Sequence, residues 1–333
     1  MDGAAGREIT ATRAREVFDS VELLPRILHG TSHSELSTTI AGGPSALPFR
    51  IASTGFTSFM RPEGEIGGSS TAAKSGIPFI LSTMDTRSIG EVAQAAGEGR
   101  RWFQLYPWKD REKPEALVQR AAAAGYDTLL VTVDTPVASQ WLCDVRNGMK
   151  TPPKLTLKTV LDASYRPEWW VNFLSTDSLK FASLSDASAD LPTNINSMFD
   201  SSLKFEDLEW IREFWKGKLF VKDVLTVEDA AKSKAGGLVV ANHGGRQLDR
   251  APVAFEELGE ARAELGPEME IIMDSGIMSG ADIVAALCAG ADFVLIGRAY
   301  LYGPVAGGEQ GVARAIELLA KEVEVNMHLM GRQ

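Results

Sequence analysis

Eight short apolar runs, rich in β-branched residues and separated by amphipathic, Ala-rich segments, recur along the chain. They are Phe49 to Ser53, Ile77 to Ser82, Trp102 to Leu105, Thr128 to Val133, Leu219 to Lys222, Gly237 to Ala241, Ile271 to Asp274 and Phe293 to Ile296. Near-continuous hydrophobic runs of this length, each followed by a segment of helical period, are the pattern of parallel strands joined by crossover helices. Most intervals between run starts are about 20 to 35 residues, the length of one βα unit. Eight such units close into a (β/α)8 TIM barrel.

One interval breaks the rhythm. After the fourth run the chain travels from Thr135 to Gly217 before the next strand, passing Pro152-Pro153, Trp169-Trp170 and a Ser/Asp-rich stretch from Ser183 to Ser202. Phe205 to Trp215 reads as the helix that enters the fifth strand. Long loops inside a compact domain are commonly functional, and βα loops lie on the catalytic face of a barrel. The expectation is one barrel domain over 1–333, with a lid-like insertion at about 137–205.

Composition narrows the function classes. The chain has 333 residues, 44% of them hydrophobic, enough for one large core. A net charge of −10 and a pI near 5.1, with no basic cluster, argue against nucleic acid or an anionic membrane as partner. The start has neither a basic region nor an apolar run, and no stretch approaches the roughly 20 apolar residues of a membrane span. Cys143 and Cys288 lie far apart without metal-type spacing. That fits reduced thiols in a cytoplasmic protein and predicts no metal site.

Polar residues collect where the apolar runs end: Ser82, Gln104 with Tyr106, Thr132 with Asp134, Lys222, Asn242-His243 and Asp274. A barrel gathers strand C-termini onto one face, so six strands would contribute to one pocket. A lone Asp or Gln at a strand end reads more readily as a helix cap than as a site residue. His243 is more pointed, because it stands between a buried run and Gly244-Gly245, three residues before Arg246. A neutral imidazole there suits a general base, and a guanidinium suits a carboxylate. The Gly-containing turns at Asp274 to Gly280 and at Gly297-Arg298 follow the seventh and eighth strands, where barrels bind phosphate.

These residues resemble the FMN-dependent 2-hydroxy-acid oxidases and dehydrogenases. The resemblance runs from about Leu23 to Met330 and rests on Arg61-Pro62-Glu63-Gly64-Glu65, Phe103-Gln104-Leu105-Tyr106, Thr132-Val133-Asp134-Thr135-Pro136, Asp144-Val145-Arg146-Asn147-Gly148, Pro152 to Leu157, Asn242 to Asp249 and Ile296-Gly297-Arg298. The Gly42 to Pro48 segment and Arg298 to Gly303 resemble most the actinobacterial L-lactate dehydrogenase branch.

The resemblance implies FMN as cofactor, a small-molecule hydroxy substrate, and oxygen or another electron acceptor. It also implies a homo-oligomer. Ser82, Gln104 and Thr132 would hydrogen-bond the flavin ring, with Ser53 and Thr54 in the same cofactor-binding set. Lys222 would stabilise the charge of reduced flavin, and Asp274, Gly276, Gly297 and Arg298 would hold the ribityl phosphate. His243 would take the substrate hydroxyl proton as the Cα hydrogen leaves as hydride, or would take the Cα proton in a carbanion route. Asp134 would stabilise the imidazolium, and Tyr106 and Arg246 would orient substrate.

Four departures stand out. A substrate-binding Tyr of the family falls upstream of Met1. A second carboxylate-binding Arg of the family is matched here by Trp141, whose alternative role is to pack into the insertion against Trp169 or Trp170. Asp223 follows Lys222 where the family has Gly, and Ala241 replaces Ser. Losing a bidentate Arg from a semi-buried site costs about 2 to 5 kcal/mol of carboxylate binding. Trp141 therefore points to a pocket recast for a larger, aromatic or uncharged hydroxy substrate. A divergent FMN-binding barrel with reduced or non-redox activity is the competing expectation, and a non-flavin phosphate-binding barrel the more distant one.

Overall fold

The structure, a computed structural model, describes residues 3–30, 33–148 and 199–332, together with 160, 161, 164, 165, 170, 171, 174 and 182. Pro152-Pro153, Trp169 and most of the Ser/Asp-rich stretch lie outside the described residues.

All eight expected strands form. After a short antiparallel hairpin of β1 (Thr38–Ile40) and β2 (Gly43–Ser45), the barrel strands are β3 (Phe49–Ile51), β4 (Phe79–Ser82), β5 (Arg101–Leu105), β6 (Thr128–Thr132), β7 (Lys218–Val224), β8 (Gly237–Val240), β9 (Glu270–Met273) and β10 (Phe293–Ile296). They pair in parallel in the order β3-β10-β9-β8-β7-β6-β5-β4. At the seam β3 and β4 are adjacent without a hydrogen-bonded ladder, so the (β/α)8 barrel is nearly closed.

Strand alternation explains why the runs are apolar on both faces. In β6, Leu130 joins Ile80, Trp102, Phe220, Val239, Ile272 and Leu295 inside the barrel. Its neighbours Leu129 and Val131 pack outward under the helices. Trp102 and Phe220 stack within the barrel with ring centroids 6.0 Å apart. Sequence reasoning passed over one resident of this interior. Arg50, in β3, is fully buried with its guanidinium carbon 3.5 Å from the centre of the Trp102 ring. None of its three guanidinium nitrogens has a hydrogen-bond partner among the described residues. Stacking on a desolvated indole recovers about 2 kcal/mol, less than the several kcal/mol lost in dehydrating an ion.

Between the strands lie α2 (Gly64–Lys74), α3 (Ile89–Ala96), α4 (Glu112–Ala123), α6 (Glu206–Phe214), α7 (Val227–Ser233), α8 (Ala254–Leu265) and α9 (Gly280–Cys288). The helix α10 (Arg298–Leu329) follows β10 and is interrupted at Gly307-Gly308. Sequence placed the α6 helix within a residue at each end. Ser88 with Glu91 and Ser279 with Asp282 form reciprocal capping boxes that start α3 and α9. An N-terminal helix α1 (Ile9–Asp19), which the sequence pattern does not announce, packs on the turn after β8. A short α5 (Leu142–Arg146) lies in the long insertion. Among the described residues, no helix is long and apolar enough to cross a membrane.

Candidate active site

The strand-end residues fall into two connected chains. In the first, Ser82 Oγ donates to Gln104 Oε1 at 2.9 Å and Gln104 Nε2 donates to Thr132 Oγ1 at 2.9 Å. These three buried side chains line the C-terminal ends of β4, β5 and β6. The second chain runs through the ionisable groups. Tyr106 Oη is 3.3 Å from His243 Nε2, and His243 Nδ1 is 3.1 Å from Asp134 Oδ1. Lys222 Nζ is 2.7 Å from Asp223 Oδ1 and 3.3 Å from Asp274 Oδ2. The six strands β4 to β9 therefore contribute to one centre, as the barrel reading required.

Local backbone holds His243 in place. It opens a single 3-10 turn, His243–Gly245, at φ 56°, a left-handed conformation uncommon for a residue with a Cβ. Asn242 caps the turn by accepting from Gly245 N at 3.1 Å. Ser275 Oγ accepts from Gly244 N at 3.0 Å and from Asn242 N at 3.3 Å. Nothing in the sequence pattern marked Ser275 for this role. Strain of this kind persists where surrounding contacts over-determine it, which is common at active sites.

The link between the ion pairs is Asp223. Its Oδ1 also accepts from the His243 backbone N–H at 3.1 Å, and its Oδ2 lies 3.2 Å from His243 Nδ1. Burial penalises the imidazolium, but Tyr106, Asp134 and Asp223 outweigh it and hold His243 well above its usual 6.5. Burial first, then the Asp223 charge, pushes Asp134 up. Burial would push Asp223 up as well, yet Lys222 and His243 beside it hold it low. Asp134, Asp223 and His243 place ligand-type atoms within 4.8 Å of one another, although Lys222 already neutralises part of that charge.

Trp141 contacts Arg246 in two ways, while Trp169, one of its expected packing partners, lies outside the described residues. The Trp141 Nε1 donates to the carbonyl of Arg246 at 2.8 Å, and the Arg246 guanidinium carbon lies 3.9 Å from the centre of the Trp141 ring. Arg246 Nη1 donates to Gly3 O at 2.7 Å. The N-terminal segment closes over the same turn, with Ala5 N donating to Gly245 O at 2.9 Å and Gly6 N to Gln140 O at 3.0 Å.

The chemistry of these donors fits FMN. Amide, hydroxyl and ammonium groups on consecutive strand ends match the edge of a flavin ring. The start of α10 has no side-chain cap, and a Cβ at Gly297 would meet nothing within 4 Å. Open backbone at a helix start, beside Arg298, suits a phosphate. Arg298 donates to the carbonyl of Gly244. Ser53 and Thr54 follow β3 by two and three residues, at the same end of the barrel. Two further residues expected at the phosphate, Asp274 and Gly276, have these surroundings. Asp274 pairs with Lys222, and an anionic carboxylate suits sugar hydroxyls better than phosphate. A Cβ on Gly276 would lie 2.3 Å from Ala14 O, so its small size serves the approach of α1.

A barrel with this strand-end set defines a flavin-dependent oxidoreductase of the 2-hydroxy-acid type. A profile of the family described as FMN-dependent dehydrogenase matches residues 1–333. A relative from Mycobacterium tuberculosis, named "Putative L-lactate dehydrogenase", is 52% identical over 333 residues, covering 99% of this chain and 80% of the relative. The L-lactate oxidase of a Nostoc species is 39% identical over 333 residues, covering 98% and 87% of the two chains. Among solved structures, the monotopic membrane protein (S)-mandelate dehydrogenase superposes with a TM-score of 0.93 at 35% identity, covering 99% of this chain and 89% of that one. Mandelate oxidase with benzoyl-formic acid superposes with a TM-score of 0.83 at 32% identity, covering 99% and 88%. The chain belongs to the FMN-dependent dehydrogenase family, and FMN is its cofactor.

Proposed function

We propose that this chain oxidises the CH–OH group of a 2-hydroxy acid with a bulky, apolar or aromatic substituent, or of its ester, with His243 as the base. FMN supplies the acceptor for the substrate's hydride. The observation that carries the base assignment is the orientation of His243: Nδ1 faces Asp134 at 3.1 Å, which leaves Nε2 toward Tyr106 Oη and the open end of the barrel. A base that gains a proton at Nε2 then becomes an imidazolium facing carboxylates, a stabilisation that grows as the proton moves. Tyr106 and Arg246 orient the substrate. Lys222 would offer its ammonium to the flavin, and Ser53, Thr54, Ser82, Gln104 and Thr132 would hold the ring. Arg298 and the backbone of Gly276 and Gly297 would hold the phosphate, while Asp274 would accept from the sugar chain.

Substrate size follows from Trp141. Its indole gives the pocket a flat apolar wall beside the remaining guanidinium. Two of the structural relatives are named for mandelate, an aromatic 2-hydroxy acid, which supports the same reading. Anaerobic bleaching of the flavin across a panel of hydroxy acids, esters and alcohols tests it, with mandelate-like acids expected to outpace lactate and glycolate. Equal or faster bleaching by lactate overturns the substrate assignment.

Of the 137–205 insertion, much of which lies outside the described residues, Ser139 and Ala182 contact the barrel's strand-end loops. Ser139 Oγ donates to Gln247 O at 2.6 Å, and Ala182 N donates to Asp85 O at 3.3 Å, just beyond β4. Electrons pass to oxygen or another acceptor, and the protein acts in the cytoplasm as a homo-oligomer. Leu24, Ile27 and Leu28, exposed by 71%, 80% and 99%, supply apolar surface for self-association. Light scattering on the FMN-loaded protein reads the assembly directly.

A further inference from the structure

We propose that Asp223 is a positioning residue that joins Lys222 and His243 into one charge-coupled unit, drawing the ammonium's field away from the flavin and holding the catalytic imidazole between two carboxylates. This rests on the reading of Lys222 and His243 given above. The sequence places Asp223 where the family has Gly and suggests a pairing with Lys222 that weakens its hold on reduced flavin; the link to His243 is new.

The geometry carries the argument. Asp223 sits in β7 where the register with β8 shifts between Lys222 and Val224, and its φ is 70°. In a regular strand adjacent side chains point to opposite faces, so Lys222 and its neighbour could not both meet the site. The bulge turns both toward it. The Asp223 side chain is fully buried, and its two oxygens are not equivalent. Oδ1 accepts from Lys222 Nζ and from His243 N, whereas no donor hydrogen among the described residues reaches Oδ2. That oxygen lies 3.2 Å from His243 Nδ1, which is also 3.1 Å from Asp134 Oδ1. An unpartnered buried carboxylate oxygen is costly on its own, and the nearby imidazolium is the charge that offsets it.

Two consequences follow with definite signs. A negative charge 2.7 Å from Lys222 Nζ cancels much of the field that the ammonium offers to a reduced, anionic flavin, so the bound flavin is harder to reduce. The groups that face His243 are Asp134 from the β6 end, Asp223 from β7, and Tyr106 from the β5 end. Lys222 lies behind Asp223, and Arg246 and Arg298 flank the His243 turn. Adding Asp223 to Asp134 favours the protonated ring, so the free base appears only at higher pH.

The test uses Asp223→Asn, which keeps the shape and removes the charge, and Asp223→Gly, which suits the left-handed backbone. Sulfite titration of the FMN-loaded enzymes reads the flavin's affinity for an electron pair without any substrate. Both variants are expected to bind sulfite at least tenfold more tightly. Their two-electron midpoint potential is expected to rise by about 30 mV or more, the equivalent of a tenfold change in equilibrium constant. The midpoint of the limb along which kcat/KM rises with pH is expected to fall. Sulfite affinity and potential unchanged in both FMN-loaded variants overturn the proposal. So does a gain confined to Asp223→Gly, which assigns the effect to shape and not to charge. A native enzyme whose flavin no hydroxy substrate bleaches would sink the base and substrate reading while leaving the sulfite result intact.

Discussion

The Arg246 guanidinium carbon lies 3.9 Å from the centre of the Trp141 ring, while the same indole donates its Nε1–H to the Arg246 backbone carbonyl at 2.8 Å. One side chain thus fixes both the backbone and the head group of the residue assigned to the substrate carboxylate. Where the family resemblance implies a second cation, this chain has a rigid aromatic plate. In the proposed reading the substrate carboxylate would meet the Arg246 guanidinium and the substituent would meet the indole.

Trp141→Arg should therefore raise kcat/KM for L-lactate by about tenfold or more, a conservative part of one charged hydrogen bond. Preference for aromatic hydroxy acids should fall with it. Stopped-flow reduction of the flavin decides the matter. Efficient lactate turnover by the native chain, with no gain on substitution, would make Trp141 a packing residue only.

His243→Ala should retain FMN, because the flavin-facing donors on β4 to β7 are untouched. Reduction by substrate should slow by about 10² to 10⁴. An unchanged bleaching rate in the FMN-loaded variant removes His243 from the chemistry.

A base must be neutral to act, and although burial opposes it, Tyr106, Asp134 and Asp223 together hold the His243 pKa well above the ordinary 6.5. The rate kcat/KM should rise with pH along a limb whose midpoint lies above that value. A midpoint at or below it would mean that the imidazolium is not stabilised in the resting enzyme.

Gly276→Ala tests the seat of α1. The residue has φ 85°, and an added Cβ would meet Ala14 O at 2.3 Å. The clash and the backbone strain together should cost about 1 to 3 kcal/mol, read as a lower urea midpoint with an unchanged slope. No loss of stability would show that α1 shifts freely.

Arg50→Met should stabilise the barrel. The substitution keeps much of the side-chain length and removes an ion with no hydrogen-bond partner among the described residues. Replacing buried ions with apolar residues of similar volume has gained about 1 to 4 kcal/mol in other systems. A lowered thermal midpoint would instead give the Arg50 stack on Trp102 a net stabilising role.

The strands were legible because each is covered on both faces and so had to be apolar throughout, as Leu129, Leu130 and Val131 illustrate. The polar centre was legible because a barrel has only one place to put residues such as Gln104, Thr132 and His243. Two kinds of feature stayed hidden. Helix α1 and the β1–β2 hairpin are fixed by contacts with distant chain segments, as when Asp249 accepts from Arg7 N at 2.8 Å and Thr10 N at 3.1 Å. Asp223 was visible as an oddity beside Lys222, but its reach to His243, twenty residues on, depends on a register shift that no local pattern encodes.

That broken register has a consequence for how such a centre can change over time. The ladders on either side of residue 223 hold Lys222 and Val224 in their own registers. The backbone at 223 itself adopts a conformation that glycine accepts freely and aspartate tolerates. A single codon there can add or remove a buried charge between the proton-accepting and electron-accepting halves of the centre while every neighbouring strand stays in place. The barrel holds its reactants rigidly, and at this one joint it leaves their energetics open to evolution.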